Sequence, residues 1–264
     1  MAAGLPHDEV LGTLSEDVFL GGRLTLRQPE HGLRGGLDGV FLAATAPVRV
    51  GSTARVLDVG AGAGLVGLAL AARVADARVT LIEIEPALAA LAEENARRNG
   101  LAGRVEVISA DLTAPMQLIA DAGAVPGTFD HVLANPPFEE EGRVRMPADA
   151  LRARAVAMGP EGLERWARFL AAMTRPGGTA TVILRADALG RLLAALESRF
   201  GELRVFPLFP RTGEAAIRIL VQGVKGSRAP LALLPGMVLH DAKGRFTSAA
   251  EAILRDGAGL ELRP

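Results

Sequence analysis

Four consecutive residues, Asn135, Pro136, Pro137 and Phe138, combine hydrogen-bond acceptors with a flat apolar ring. The side-chain oxygen of Asn135 and the main-chain carbonyl of Pro136 can accept the two N–H groups of a planar NH2 group. A residue before proline is confined to extended conformations and proline fixes its own φ, so both acceptors are preorganised. Phe138 offers a face on which a base can stack. The pattern predicts chemistry on an exocyclic amino group, with Asn135, Pro136 and Phe138 catalytic and Pro137 and Phe138 against the substrate.

A glycine-rich turn follows the apolar segment RVLDV and contains Gly60, Gly62 and Gly64. Glycines at such a turn let the backbone bend tightly and let a nucleotide-like ligand approach without a Cβ in the way. The same stretch, taken as Gly62, Gly64 and Gly67, also matches the dinucleotide fingerprint. The glycines alone therefore leave a nicotinamide cofactor open.

Three acidic residues help to choose between these cofactors. Asp58 precedes Gly60 by two positions, where a carboxylate would face an ammonium group or its water shell and would be unfavourable beside a pyrophosphate. Glu83 ends the second predicted strand and can accept hydrogen bonds from both ribose hydroxyls. Asp111 follows the third predicted strand and is placed to receive an adenine amino group. We therefore predict S-adenosylmethionine as the cofactor, bound by these three acids together with Gly60, Ala61, Gly62, Gly64, Ile84, Leu112 and Asn135.

These residues lie at the ends of strand-like segments that alternate with helix-like segments from Arg55 onward. Such alternation predicts an α/β fold with a doubly wound, mostly parallel sheet. Seven segments are typical of strands: RVLDV, RVTLIEIE, RVEVISAD, FDHVLA, GTATVIL, LRVFPLF and AAIRILVQG. Helices are predicted over 65–74 and 86–99, and the second begins with proline and stops at Gly100.

The chain outside this region predicts two additions to one large domain. Residues 1–50 should form an N-terminal extension, with a short hairpin followed by a helix from about Asp38 that Pro47 ends. Residues 51–228 should form the catalytic domain. Residues 229–264 should form a C-terminal extension, with one terminal helix, that packs on the same domain.

Composition narrows the functional classes. The chain of 264 residues has 29 Lys and Arg against 30 Asp and Glu, no cysteine, and no apolar run long enough to span a membrane. We therefore expect a cytoplasmic protein without disulfides, metal sites or a membrane partner. Between residues 204 and 228, five cations and one acid give a local excess of positive charge. We predict that Arg211, Lys225 and Arg228 in this segment contact the substrate.

With these motifs in place, the chain resembles the bacterial tRNA1(Val) adenine-N6 methyltransferases. The blocks that carry the likeness are FLGGRLTLRQPEHGLRGGLDGVFLAATAP, VLDVGAGAGLVGLALA with IEIEPALAALAEENARRNG, and LANPPF. The resemblance implies a Rossmann-like class I methyltransferase fold with a seven-stranded sheet and a tRNA substrate, methylated 3′ to the anticodon. It implies that Asp38 closes over the methionine end of the cofactor. The chain departs from the family in having Phe138 in place of the commoner tyrosine, followed by the acidic run Glu139–Glu141.

Three other functions fit parts of the same pattern. A protein glutamine presents the same two N–H groups to Asn135 and Pro136, so a glutamine methyltransferase is an alternative. A small-molecule methyltransferase would need a closed pocket instead of a basic rim. A module that only binds the cofactor would have no use for two aligned acceptors, which argues against that alternative.

Overall fold

The computed structural model describes residues 11–31, 34–48, 51, 53–137 and 162–263. Phe138 and Glu139–Glu141 lie outside the described residues. Within them the strands are β1 (Leu14–Phe19), β2 (Leu24–Pro29), β3 (Arg55–Val59), β4 (Arg78–Glu83), β5 (Val105–Ser109), β6 (Phe129–Ala134), β7 (Thr174–Arg185), β8 (Phe200–Phe209), β9 (Arg218–Lys225), β10 (Ala232–Leu233) and β11 (Met237–Val238). The α-helices are α1 (Leu37–Ala44), α2 (Leu65–Arg73), α3 (Pro86–Arg98), α4 (Met116–Asp121), α5 (Gly162–Met173), α6 (Leu189–Leu196) and α7 (Ser248–Leu254).

The main sheet has the strand order β10-β8-β9-β7-β6-β3-β4-β5, and β11 also pairs with β8. Strand β9 runs antiparallel to both β7 and β8, whereas the other pairings in this sheet are parallel. The predicted doubly wound, mostly parallel sheet is confirmed, and β3 to β9 are the seven predicted strands. The prediction was incomplete in the C-terminal segment, because β10 and β11 extend the sheet. Each has two residues, too short for a periodic pattern to mark.

Chain order reverses between β3 and β6, and this reversal creates the crevice that holds the site. From β3 the chain proceeds outward to β4 and β5, and then returns to place β6 on the other side of β3. In open parallel sheets, ligands bind at the carboxyl ends of the strands where the order reverses. Val59 pairs with Ala134 in the β3–β6 register, so the residues that follow them, Gly60 and Asn135, enter the same crevice.

The sheet is covered on both faces, as expected for strands without a polar side. Val56, Leu57 and Val59 of β3 have no exposed surface, which is typical of a central parallel strand. The hairpin β1–β2 and helices α1, α2, α3 and α7 contribute to one buried cluster, and α5 and α6 to the other. No helix among the described residues combines the length and apolar character needed to cross a membrane.

One buried asparagine ties the N-terminal hairpin to the glycine loop. Asn95 on α3 accepts a hydrogen bond from the amide of Arg27 on β2 at 2.9 Å. Its Nδ2 donates to the carbonyls of Arg27 at 2.8 Å and Ala63 at 3.0 Å. Because Asn95 is fully buried, these bonds are shielded from water. The hairpin is thereby fixed beside the cofactor loop and forms part of the site.

Candidate active site

A cavity of about 360 Å³ opens at the crevice between β3 and β6. It collects residues that follow β3, β4, β5 and β6, which are separated by 20 or more positions in the sequence. The predicted site residues that line it are Gly60, Ala61, Gly62, Glu83, Ile84, Asp111, Leu112, Asn135 and Pro137. The cavity therefore brings together residues of the glycine turn, the acids at the ends of the next two strands, and part of the predicted catalytic motif.

Only glycine fits at position 60, because of the backbone conformation there and because of a neighbouring side chain. Its φ is +70°, and a Cβ at this position would lie 2.6 Å from Cη2 of Trp166. Its amide and that of Ala61 donate to the carbonyl of Ile82 at 2.8 and 3.0 Å. The loop is therefore held against the end of β4 while Trp166 covers it, and a larger residue would displace the ring.

Glu83 is fixed by the main chain at the wall of the cavity. Its two carboxylate oxygens accept hydrogen bonds from the amides of Gly62 at 2.7 Å and Glu85 at 2.9 Å. Burial raises the pKa of this carboxyl, and the amide hydrogen bonds oppose that shift. The oxygens have further lone pairs, so Glu83 can still accept ribose hydroxyls in a defined orientation.

Asp58 takes a different position from the one predicted. It is 1% exposed, does not line the cavity, and accepts a hydrogen bond at 2.9 Å from the amide of Gly67 in the first turn of α2. Burial raises the pKa of Asp58 to about 7, although the Gly67 hydrogen bond acts in the opposite direction. The Asp58 carboxyl group is therefore bound to the start of α2, and it acts on the cofactor site by positioning that helix.

Gly64 is also set back from the cavity. It is the residue before α2, with φ +95°, and a Cβ there would meet Leu68, Leu81 and Ala92 at 3.0–3.3 Å. Gly64 therefore has a packing role that brings α2 against β4 and α3, and its contact with the cofactor stays a prediction.

The end of β6 carries the predicted catalytic motif. Asn135 and Pro137 line the cavity, and Pro136 between them is buried. Phe138, predicted to stack on a base, lies outside the described residues. Asn135 follows β6 next to the glycine loop that follows β3, a place from which an acceptor could align a nitrogen with a cofactor bound in the cavity.

Asp38, predicted to close over the methionine end of the cofactor, pairs with a cation instead. Its Oδ2 accepts a hydrogen bond from Nε of Arg218, at the start of β9, at 2.6 Å. Asp38 does not line the cavity, whereas Gly35 and Gly39 on either side of it do. The segment thus reaches the site through its glycines, because the Asp38 carboxylate is turned to Arg218.

The cations of residues 204–228 do not form one surface. Arg211 follows β8 at the carboxyl edge of the sheet, the edge that carries the cavity, and is 3.5 Å from Glu214. Lys225 lies at the opposite edge, where its Nζ donates to the carbonyls of Ala171 and Thr174 at 2.6 and 2.7 Å. Arg228 follows Lys225 at that far edge. The predicted substrate role is thus compatible with the position of Arg211 only, because the reversal of β9 carries the other two away.

Several residues of the cavity had not been identified from the sequence. The N-terminal extension supplies Leu26, Gln28, Arg34, Gly35 and Gly39, and α5 supplies Arg165 and Trp166. The signals were weak but present: a glycine pair directly follows Arg34, and Trp166 is the single tryptophan of the chain. Adjacent glycines before a helix often mark a close approach of the backbone to another element.

No cluster of His, Cys, Asp or Glu within the described part of the chain has the geometry to hold a metal ion. His131 on β6 is half-buried, and its Nδ1 is 2.9 Å from Thr179 Oγ1. Burial lowers the pKa of His131 to about 4, so its ring is neutral at physiological pH. It does not line the cavity and has a structural contact only.

Comparison with known proteins identifies the class of this site. Residues 39–164 match the family model of the methyltransferase small domain. A tRNA1(Val) (adenine(37)-N6)-methyltransferase from Shewanella sp. (strain W3-18-1) is 28% identical over 224 residues, which are 83% of this chain and 89% of that protein. A release factor glutamine methyltransferase from Moorella thermoacetica is 33% identical over 162 residues, 59% of this chain and 54% of that protein.

Among solved structures, a predicted O-methyltransferase from Agrobacterium tumefaciens is similar over most of its length. It is 30% identical, with a TM-score of 0.71, over 85% of this chain and 98% of that one. The glycine loop, the buried Glu83 beside it and the cavity that both line are an arrangement suited to an adenosine-containing cofactor.

Proposed function

This chain belongs to the methyltransferase small-domain family and is an S-adenosylmethionine-dependent methyltransferase; we propose that its methyl acceptor is N6 of an adenine in tRNA. The relatives that match most of the chain carry the name tRNA1(Val) (adenine(37)-N6)-methyltransferase. Adenine 37 of a valine tRNA is therefore the proposed target.

The observation that carries the proposal is the position of Asn135. It follows β6 beside Gly60, and it lines the cavity together with Glu83. An adenosine held at Glu83 and a nitrogen held at Asn135 would share one crevice. The prolines after Asn135 preorganise the Asn135 and Pro136 carbonyls, as the sequence predicts.

The proposed chemistry needs alignment more than acid–base catalysis. S-adenosylmethionine supplies a methyl group on a positively charged sulfur, which is already an activated electrophile. The Asn135 side-chain oxygen and the Pro136 carbonyl would accept the two N–H groups of adenine and direct its lone pair toward that methyl. Holding donor and acceptor in this geometry contributes most of the rate through effective concentration. Phe138 as the stacking residue stays a prediction.

A glutamine side chain is the second candidate substrate, because its amide offers the same two N–H groups. The similarity to a release factor glutamine methyltransferase favours it, but that similarity covers only about half of each protein. Two tRNA-modifying relatives match 83% and 85% of this chain. We therefore rank tRNA first.

The test is methyl transfer to defined substrates. The enzyme is incubated with methyl-labelled S-adenosylmethionine and an unmodified tRNA1(Val) transcript, the same transcript with guanine at position 37, or a release factor. The RNA is digested to nucleosides and the products are separated by chromatography with mass detection. We expect N6-methyladenosine from the first transcript, and no label in the second or in the protein.

Each alternative result has a defined meaning. Label in the release factor and not in RNA would replace the proposal with glutamine methylation. Label in the transcript with guanine 37 would retain an RNA substrate but reject position 37. A product that elutes as a ring-methylated adenosine would reject the exocyclic nitrogen, and with it the role of Asn135.

A further inference from the structure

The charged residues that line the cavity come from different elements of the fold. Glu83 ends β4, Glu85 follows it, and Asp111 follows β5, so these acids are grouped on the β4–β5 side. Arg34 lines the cavity from the N-terminal extension, just before α1. The cofactor itself has two chemically different ends, an adenosine and an amino acid that carries a carboxylate.

The segment that carries Arg34 is pressed against the start of α2. A Cβ on Gly35 would lie 2.7 Å from Cδ2 of Leu65, and one on Gly39 would lie 2.9 Å from the same atom. Leu65 is the first residue of α2 and also lines the cavity. Arg34 is therefore next to the helix that begins after the glycine loop, one strand away from the acids of β4 and two from that of β5.

Arg34 is held in place by the hairpin. Its Nη1 donates to Ser15 Oγ at 2.9 Å, and its Nη2 donates to Asp17 Oδ2 at 2.7 Å. The buried Gln28 donates to the same Asp17 oxygen at 2.8 Å and accepts from the amide of Gly35 at 2.8 Å. The backbone after Arg34 and its guanidinium are thus fixed together, while other N–H groups of the guanidinium remain available for a ligand.

We propose that Arg34 binds the carboxylate of the methionine part of S-adenosylmethionine. The ribose is assigned to Glu83, which is bound to the glycine loop at Gly62, so the amino acid would extend along that loop toward the start of α2, beside which Arg34 lies. A guanidinium presents paired N–H groups that match a carboxylate, and the positive end of the α2 dipole adds a favourable potential there. This inference rests on the cofactor alone and is independent of the proposed RNA substrate.

Arg165 is the other cation of the cavity in the described residues, and it serves as an internal comparison. It lies on α5 next to Trp166, which covers Gly60 from the opposite face of the sheet. Arg165 already has an interaction partner in the protein. Arg165 therefore lines the cavity from the face of the sheet that α5 covers, whereas Arg34 lines it from the face that α1 and α2 cover.

The test measures binding without any methyl acceptor. Calorimetry compares S-adenosylmethionine, decarboxylated S-adenosylmethionine and 5′-methylthioadenosine on the full chain and on Arg34→Gln, Arg34→Lys and Arg165→Gln. We expect Arg34→Gln to lower affinity for S-adenosylmethionine about 10- to 100-fold, the usual range for a charge-assisted contact. Its affinities for the two ligands that lack the carboxylate should change less than about twofold, and Arg34→Lys should recover part of the loss.

The matched control is Arg98→Gln. Arg98 pairs with Glu16 on the same hairpin and does not line the cavity, so it tests whether loosening the hairpin is enough. Because each variant is scored by the ratio of its affinities for ligands with and without the carboxylate, a general loss of folded protein cancels. Arg98→Gln should keep the ratio of the wild type.

Three results would overturn the assignment. Arg34→Gln could weaken all three ligands equally, which would reduce Arg34 to a hairpin contact. It could leave all three affinities unchanged. The ratio could respond to Arg165→Gln instead, which would move the carboxylate to α5. None of these depends on RNA methylation, so failure of the RNA assay and failure of this inference are distinguishable.

Discussion

Charged residues at the carboxyl edge of the sheet are held in two different ways. Near the end of β3 and at the end of β4, Asp58 and Glu83 are buried and accept hydrogen bonds from main-chain amides. After β8 and at the start of β9, Arg211 and Arg218 are partly exposed and pair with acidic side chains. The first group belongs to the cofactor half of the site, and the second lies on the side open to a substrate.

This difference separates charged groups whose positions the fold fixes from charged groups that can change partners. Main-chain amides cannot move away without distorting the glycine loop or α2, so the cofactor half keeps its geometry in the absence of a ligand. Exposed ion pairs contribute about 0–1 kcal/mol, are screened by salt and can exchange partners. A polyanion could therefore take over Arg211 or Arg218, whereas Glu83 stays bound to the amides of Gly62 and Glu85.

The largest effect on activity is expected at Asn135, where the cofactor half of the site meets the side open to a substrate. Asn135→Ala removes one acceptor for the substrate N–H groups and leaves Glu83 and the glycine loop intact. We expect kcat on the true substrate to fall about 10²- to 10³-fold, as for the loss of one preorganised contact in an active site. Affinity for S-adenosylmethionine, measured by calorimetry, should stay within about twofold. An equal loss of both quantities would show that Asn135 belongs to the cofactor half.

The next effect probes the cofactor half directly. Glu83→Gln removes the charge that accepts the ribose hydroxyls, and we expect affinity for S-adenosylmethionine to fall about 10- to 100-fold. The affinity for 5′-methylthioadenosine should fall by the same factor, because the ribose is common to both ligands. Glu106→Gln, an exposed change on β5, is the control. A loss that disappeared at high salt would contradict the distinction between buried and exposed charges.

A third effect concerns pH. With a pKa of about 7 in the folded chain against an ordinary value of 3.8, Asp58 keeps a proton that the unfolded chain releases. Stability contributed by this group is therefore lost as pH rises from about 4 to 7, by at most about 1.4 kcal/mol per pH unit.

Asp58→Asn cannot ionise and keeps an oxygen for the Gly67 amide. Its melting temperature relative to the wild type should therefore increase across that pH range. His131 and Glu83 titrate in both proteins, so the difference between the two isolates Asp58. A difference that is independent of pH would show that the carboxylate is ionised throughout.

The same contrast explains what could be predicted from the sequence. Alternating apolar segments and a glycine turn are local patterns. They were enough to predict the sheet, the helices over 65–74 and 86–99, and the residues between Gly60 and Asn135 that line the cavity. The partners of Asp38 and Lys225 were not, because Arg218, Ala171 and Thr174 reach them only through the reversed direction of β9. Arg34 was missed for a related reason, since its partners come from the hairpin.

The smallest effect tests the exposed half, and it uses two cations of the same segment. Arg211 lies at the edge that carries the cavity, whereas Lys225 lies at the opposite edge and is bound to two main-chain carbonyls. Each phosphate contact contributes about one unit to the slope of log affinity against log salt. We expect Arg211→Gln to reduce that slope for tRNA by about one unit.

Lys225→Gln is the matched control, because it removes the same charge from the chain. It should leave the salt slope unchanged and lower the melting temperature, since Ala171 and Thr174 lose a charged donor at the end of α5. If both variants flattened the slope equally, tRNA affinity would depend on the net charge of the protein and not on the position of the cation. The carboxyl edge would then not be the surface that binds the substrate. If neither did, the phosphates would have to be bound by cations elsewhere, and the exposed pairs at β8 and β9 would be ordinary surface ion pairs.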